Sequence, residues 1–116
     1  MTQDYGIENI DYLKPIPEEH VVSVNITSVE SESTELETIP VTIIFSEPVS
    51  GFVIGDVVVS NATKANFSGS GKIYTLDVNP TEAGEVTIDI PADVAHTRVG
   101  YKNSAATQFS IEFIVP

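Results

Sequence analysis

Several short stretches of this chain alternate between apolar and polar residues, which predicts β-strands that are buried on one face. The chain is organised around residues 40–62, where two such stretches are joined by a corner rich in turn residues. In the first stretch, Val41, Ile43 and Phe45 fall on one side. An aromatic residue in the corner, Phe52, is expected to fold back and close the core.

The same alternation recurs to the end of the chain and predicts seven strands. We expect them at residues 20–29, 40–46, 56–60, 62–67, 72–78, 84–90 and 107–115. Glycine, proline, serine and asparagine residues lie between most of these stretches, as they do in turns. Seven short antiparallel strands separated by turns are typical of an immunoglobulin-like β-sandwich, so the predicted fold is all-β.

The pattern also separates a predicted core from two connections. The core should include Val24, Ile26, Val41, Ile43, Phe45, Phe52, Val57, Val59, Tyr74, Leu76, Val86, Ile88, Ile111 and Phe113. Residues 30–38 contain four glutamates and no base, which indicates a solvated, mobile connection. Residues 92–106 show no clear period and form the longest connection without a predicted element.

Residues 1–19 differ from the rest of the chain. Pro15 and Pro17 force extended backbone and cannot lie within a central strand, because proline lacks the N–H group that pairing requires. Acidic residues dominate this segment, and Lys14 is its only base. We therefore predict an extended leader or linker over residues 1–19, followed by one sandwich domain over residues 20–116. A chain of 116 residues has room for one such domain with a sizeable core.

The charge balance excludes some classes of partner. The chain has 17 acidic and 5 basic residues, and its formal net charge is -12. Such a surface repels phosphate backbones and anionic lipids, so we expect no nucleic-acid binding. No apolar run approaches the roughly 20 residues that cross a bilayer, so we expect no membrane insertion. The same charge favours solubility and attracts cations loosely.

No residue pattern indicates catalysis. His20 and His96 are the side chains that could act as bases near neutral pH, and neither lies in a recognisable nucleophile motif. Ser68 and Ser70 belong to a glycine-rich turn that resembles no nucleophile elbow. Paired carboxylates are common in so acidic a chain and do not indicate a glycosidase. We therefore predict that the chain is not an enzyme.

Acidic residues near strand ends and connections are the candidate metal ligands. They are Glu30, Glu32, Asp56 and Asp93. A tight calcium site needs about six to eight converging oxygen ligands, and the spacing of these residues matches no calcium-loop motif. We therefore expect no cofactor, apart from loose and salt-sensitive binding of Ca2+ through the diffuse negative field.

Part of the chain, over about residues 38–106, contains a set of short motifs in a characteristic order. The motifs are Phe45-Ser46-Glu47-Pro48-Val49, Gly51-Phe52, Asp56, Tyr74-Thr75, Pro80 and Gly84-Glu85-Val86-Thr87. In order and spacing, this set resembles the bacterial Ig-like domains that are repeated in large surface adhesins and biofilm-associated proteins. The resemblance implies the same sandwich fold that the alternation predicts.

One loop departs from the pattern of that family. Relatives commonly follow the Gly-x-Val-Thr strand with an aspartate and then a Gly-Asn-x-Asn turn. This chain keeps Gly100 and Asn103 but has Thr97 in place of the aspartate and Tyr101 in place of the first asparagine. Two basic residues lie next to these positions. If the turn of the relatives holds a cation, this loop is less suited to do so.

The resemblance implies a non-catalytic structural spacer or adhesion module of a larger secreted or cell-surface bacterial protein. Its location would be extracellular or at the cell surface, and its partners would be neighbouring domains of the same chain. The alternative is a β-sandwich module that binds a carbohydrate or a protein surface through aromatic loop residues. Tyr101 and Phe67 are the candidates for that role. The lack of tryptophan weakens the carbohydrate alternative.

Overall fold

The computed structural model describes residues 20–115, which form a β-sandwich of two sheets. The strands are β1 (Val24–Thr27), β2 (Ser33–Thr34), β3 (Ile39–Val49), β4 (Val58–Ser60), β5 (Ala62–Pro80), β6 (Gly84–Asp89) and β7 (Phe109–Phe113). One sheet has the order β1-β3-β5 and the other the order β2-β7-β6-β4. The predicted all-β sandwich is confirmed. The described residues contain no helix that is long and apolar enough to cross a membrane.

Strand β5 is a hairpin, because residues in its first half contact residues in its second half. Nδ2 of Asn66 donates a hydrogen bond to Oδ2 of Asp77 at 2.7 Å. The Phe67 ring stacks on the Tyr74 ring with 5.7 Å between centroids. The chain reverses near Gly69, whose φ of 125° is one that residues with a side chain rarely adopt. The fourth and fifth strands predicted from the sequence are therefore the two arms of this hairpin.

Between β1 and β3 the chain crosses from one sheet to the other. β1 pairs antiparallel with β3, whereas β2 pairs parallel with β7. The crossing contains a tight turn in which the Ser33 N–H donates to the Ser31 carbonyl at 2.7 Å and Glu32 has a φ of 66°. This corrects two expectations. Residues 30–38 contain a paired strand with a buried Thr34, and one strand pair of the sandwich is parallel.

Strands β1 and β4 begin later than predicted, because other hydrogen bonds replace strand pairing at the predicted starts. β1 begins only at Val24, because Val22 forms a separate bridge with Asn103 instead of pairing with β3. β4 begins later than predicted, because Asp56 ends a 3-10 turn and its carboxylate accepts a hydrogen bond from the Val53 N–H at 2.9 Å. The predicted leader over residues 1–19 lies outside the described residues.

The described chain enters and leaves the sandwich at opposite ends. β1 begins at Val24, which pairs with Phe45 near the end of β3. The start of β3, Ile39, pairs with Val78 near the end of β5, and from there the chain turns into β6. β7 ends beside the start of β6. The entry and exit points are therefore separated by much of the length of β3, and its span from Ile39 to Phe45 is roughly 20 Å.

These two ends of the sandwich are here named poles. The N-terminal pole holds the end of β3, the reversal of β5 and residues 92–106, which bridge to the chain after β3 through His96 and Ser50. The C-terminal pole holds residues 28–38, the turn between β5 and β6, and the end of β7. Connections form both surfaces, so loop side chains decide what each pole contacts.

The predicted core is confirmed, since apolar residues of both sheets are buried between them. Of the predicted residues, Ile26 and Val59 are partly exposed and the others are buried. The structure adds Val22, Ile39, Val49, Val78, Ile90 and Ala95. Near the N-terminal pole, Phe52 meets Phe45 edge to face with 5.1 Å between centroids and meets Tyr74 at 5.0 Å. Phe52 thus closes the core, as its place in the corner predicts.

Candidate functional site

Tyr101, one of the two predicted binding residues, lies in a small cluster on the N-terminal pole. Its ring stacks on the His20 ring with centroids 4.0 Å apart and planes inclined by 21°. Nε2 of His20 lies 2.5 Å from Oε2 of Glu47 near the end of β3. These contacts connect the loop of residues 92–106 to His20, at the start of the described domain. Tyr101 is nevertheless 45% exposed, so part of its surface is open to a partner.

Phe67, the other predicted binding residue, belongs to a different cluster. Its ring lies nearly parallel to Tyr74, with 14° between planes, and meets Phe52 at 5.6 Å between centroids. It is half-buried and packs against the core. The structure therefore places Phe67 and Tyr101 among different neighbours. A binding role for either residue stays a prediction, and Tyr101 offers the more open ring.

Residues 92–106 are ordered by a buried amide whose role the sequence pattern did not reveal. Asn103 is 2% exposed. Its Oδ1 accepts hydrogen bonds from the N–H groups of Val94 at 3.0 Å and Ala95 at 2.9 Å. Its Nδ2 donates to the carbonyls of Pro91 at 3.0 Å and Ser104 at 2.9 Å. Both hydrogens and the oxygen of one side chain thus hold the two sides of the loop together.

Thr97 closes the tip of the same loop. It is buried, and its Oγ1 accepts a hydrogen bond from the Tyr101 N–H at 3.1 Å. The Thr97 N–H donates to the Tyr101 carbonyl at 2.8 Å, and the Gly100 N–H donates to the Thr97 carbonyl at 2.9 Å. Gly100 has a φ of 100°, as such a turn requires. A neutral hydroxyl therefore helps to order this turn.

His96 also packs against the corner after β3 on this pole. Its backbone pairs with Ser50 in both directions, with N···O distances of 2.8 Å and 3.1 Å. Its ring lies over Gly51, where an added Cβ would be 3.3 Å from Cε1 of the imidazole. Gly51 has a φ of 85°, so the corner after β3 favours glycine for its backbone as well as for space. His96 thus packs the corner that the sequence places next to Phe52.

The four candidate metal ligands lie in three separate segments. Glu30 and Glu32 precede β2, Asp56 accepts the Val53 N–H, and Asp93 lies in the connection after β6 with a φ of 65°. Within residues 20–115, no group of three His, Cys, Asp or Glu side chains is arranged to hold a metal ion. Loose calcium binding through the overall charge stays a prediction.

A cleft of about 540 Å³ opens on the N-terminal pole between the end of β3 and the reversal of β5. Its lining residues include the buried Phe52 and Tyr74 and the exposed Arg98. The Tyr74 hydroxyl donates to the Val49 carbonyl at 3.2 Å. Burial raises the pKa of Tyr74 above its ordinary value, and a hydrogen bond with the Gly71 backbone partly opposes this rise.

Comparison with known proteins identifies one family. The family model described as "Bacterial Ig-like domain" matches residues 18–113. This range includes all seven strands of the sandwich and the loops of both poles. Neither the curated proteins nor the solved structures gave a significant match.

Proposed function

This chain belongs to the bacterial Ig-like domains, and we propose that it acts as a non-catalytic spacer or adhesion module of a larger secreted or cell-surface bacterial protein. The main support is the position of its ends, because β1 enters at one pole and β7 leaves at the other. Domains joined through these ends lie end to end, and the paired part of β3 alone adds roughly 20 Å for each sandwich. The proposed partners are neighbouring domains of the same chain, outside the cell.

The strands next to both ends are paired in a direction that resists a pull between the poles. β1 pairs with β3 and is pulled towards the pole at which it begins. β7 pairs with β6 and β2 and is pulled towards the pole at which it ends. Hydrogen bonds between antiparallel strands are perpendicular to the strands, so an axial pull loads all bonds of a pair together. A pull across the strands breaks them one after another.

Unfolding under force in two directions tests the proposal. The chain contains no cysteine, so engineered cysteines define the points of attachment. Val21→Cys with Val115→Cys pulls the sandwich between its poles, whereas Glu82→Cys with Val115→Cys separates β7 from β6 at one pole. All three side chains are exposed. We expect a clearly higher unfolding force for the axial pair.

Thermal unfolding of both double-cysteine variants is the control, since attachment sites on the surface should leave stability unchanged. If the two variants have equal melting temperatures, a difference in force reports the direction of the load. Equal forces in the two directions would contradict a load-bearing spacer.

Ligand binding through Tyr101 is the second candidate function, because this aromatic residue is partly exposed on a loop. Exposed aromatic rings supply large contact area and often dominate binding energy. A glycan array probed with the chain and with Tyr101→Ala tests the carbohydrate form of this role. A signal that is lost in the variant would support it, and an array without signal would remove it.

A further inference from the structure

Exposed positive charge is concentrated on the N-terminal pole. Arg98 and Lys102 belong to the loop of residues 92–106, and Lys72 follows the reversal of β5. The remaining base of the described residues, Lys64, is used within the domain, where its Nζ donates to two backbone carbonyls. None of the three bases at the pole forms an ion pair with another residue of the range 20–115.

The C-terminal pole carries carboxylates and no base within the described residues, whereas the N-terminal pole mixes its three bases with carboxylates such as Glu47 and Asp93. The carboxylates of the C-terminal pole belong to Glu30, Glu32, Glu35, Glu37 and Glu82. The crossing segment, residues 28–38, contains no base. Between two of these glutamates lies Leu36, an apolar side chain that is 44% exposed. This pole therefore presents an apolar residue with a carboxylate on either side of it in the sequence.

The cleft on the N-terminal pole has complementary features. Its lining includes the aromatic residues Phe52 and Tyr74, and its volume of about 540 Å³ is ample for one leucine side chain. Arg98 lines the cleft directly, and Lys72 follows the lining residue Gly71 in the chain. An apolar residue that enters this cleft brings the carboxylates next to it close to these bases, where charged hydrogen bonds can form.

We propose that the N-terminal pole binds the C-terminal pole of a second copy of this domain, with Leu36 of that copy in the cleft and its Glu35 and Glu37 beside Arg98 and Lys72. The contact joins two different surfaces, so each pair of copies leaves one pole of either kind free and the contact repeats along a row. The proposal rests on the proposed spacer function. Domains linked end to end in one chain hold these two poles at high effective concentration, which favours the contact.

Disulfide trapping between separate copies tests this contact. The Leu36→Cys variant is mixed in equal amount with the Ser70→Cys variant, and the mixture is oxidised at low ionic strength. Ser70 is one of the residues that line the cleft. The chain has no other cysteine, so random encounters give heterodimer and homodimers in statistical proportion. We expect a clear excess of heterodimer. Val29→Cys is the matched control for Leu36→Cys, because Val29 lies on the same acidic pole and is 84% exposed, yet is not placed in the cleft.

Charge reversal shows whether the bases and acids named above produce that excess. Arg98→Glu with Lys72→Glu in the Ser70→Cys chain should remove the excess of heterodimer. Glu35→Lys with Glu37→Lys in the Leu36→Cys chain should then restore it, because opposite charges again face each other. Added salt should weaken both combinations, since exposed charges are screened beyond roughly 8 Å at physiological ionic strength.

Two outcomes would overturn the contact. One is a statistical ratio of products with Leu36→Cys, and the other is an equal excess with Val29→Cys. Neither outcome affects the spacer proposal, which is tested by the direction dependence of unfolding in a single domain. A third outcome would count against the pairing of these particular residues: the excess of heterodimer is lost on the first charge reversal and does not return on the second.

Discussion

Two connections without a hydrophobic repeat, one at each pole, are ordered in different ways. Residues 92–106 at the N-terminal pole are held by the buried polar side chains of Asn103 and Thr97. Residues 28–38 at the C-terminal pole are held by backbone hydrogen bonds to β7 and by the hydroxyl groups of Ser28 and Thr34. The shape of the first connection therefore depends on particular residues. In the second connection no glutamate side chain forms a hydrogen bond or an ion pair within residues 20–115, so its charge is free to vary.

The largest loss of unfolding free energy is expected from a core substitution, which should destabilise the whole sandwich and therefore both connections. Phe45 is fully buried between the sheets, and Phe45→Ala should cost roughly 3–5 kcal/mol of unfolding free energy, because a large cavity remains. Ile44→Ala is the control, since this neighbour lies on the outer face and is 37% exposed. Denaturant unfolding measures both. Similar losses for the two variants would contradict the packing described here.

Loss of the buried amide should loosen the N-terminal pole while leaving the C-terminal pole intact. Asn103→Ala leaves the part-buried N–H of Val94 and the buried N–H of Ala95 without an acceptor and should cost roughly 2–4 kcal/mol. Gln108→Ala is the control, because this exposed amide bonds only the surface carboxylate of Asp89. Hydrogen exchange of individual amides is the measurement. Unchanged exchange at Val94 and Ala95 would contradict the role of Asn103.

A smaller effect is expected at the tip of the same loop. Thr97→Val keeps the shape of the side chain but removes the hydroxyl that accepts the Tyr101 N–H, and should cost about 1 kcal/mol. Thr97→Ser retains the hydroxyl and should lose less. Exchange of the Tyr101 amide should accelerate in the valine variant alone. If both variants accelerate it equally, packing of the methyl group orders the turn and the hydroxyl does not.

The smallest effect is expected at alkaline pH. Burial raises the pKa of Tyr74, so the folded state holds the phenol proton more tightly than the unfolded state. The stability from this group is fully present below the unfolded pKa of about 10 and is lost as pH rises through the folded value. Denaturant unfolding at increasing pH should therefore show a steeper decline for the native chain than for Tyr74→Phe. Parallel declines would contradict this account.

Most strands and the core could be predicted because the longer strands have a hydrophobic repeat of their own. Val41, Ile43 and Phe45 fall on one face in the sequence and are buried together in the fold. β2 could not be predicted in this way, because a strand of two residues is too short for a repeat. Its pairing depends on β7, which lies about 80 residues later in the chain.

The polar residues that order the N-terminal pole were missed for a different reason. Asn103 and Thr97 bond mainly to backbone groups of their own loop, and such bonds leave no repeat in the sequence. Their only signal was the family turn, in which Asn103 is kept and Thr97 departs.

The most direct test of the proposed load-bearing role is the axial unfolding force of the chain with Ile114→Pro. The Ile114 N–H donates to the Thr34 carbonyl at 2.8 Å, and proline removes this donor from the β2–β7 contact. Val115→Pro is the matched control, because the Val115 N–H makes no backbone hydrogen bond within the described residues. In this comparison Pro116→Cys replaces Val115→Cys as the second attachment point in every chain. The account predicts a lower force for Ile114→Pro and a native force for Val115→Pro. Native forces for both variants would contradict it.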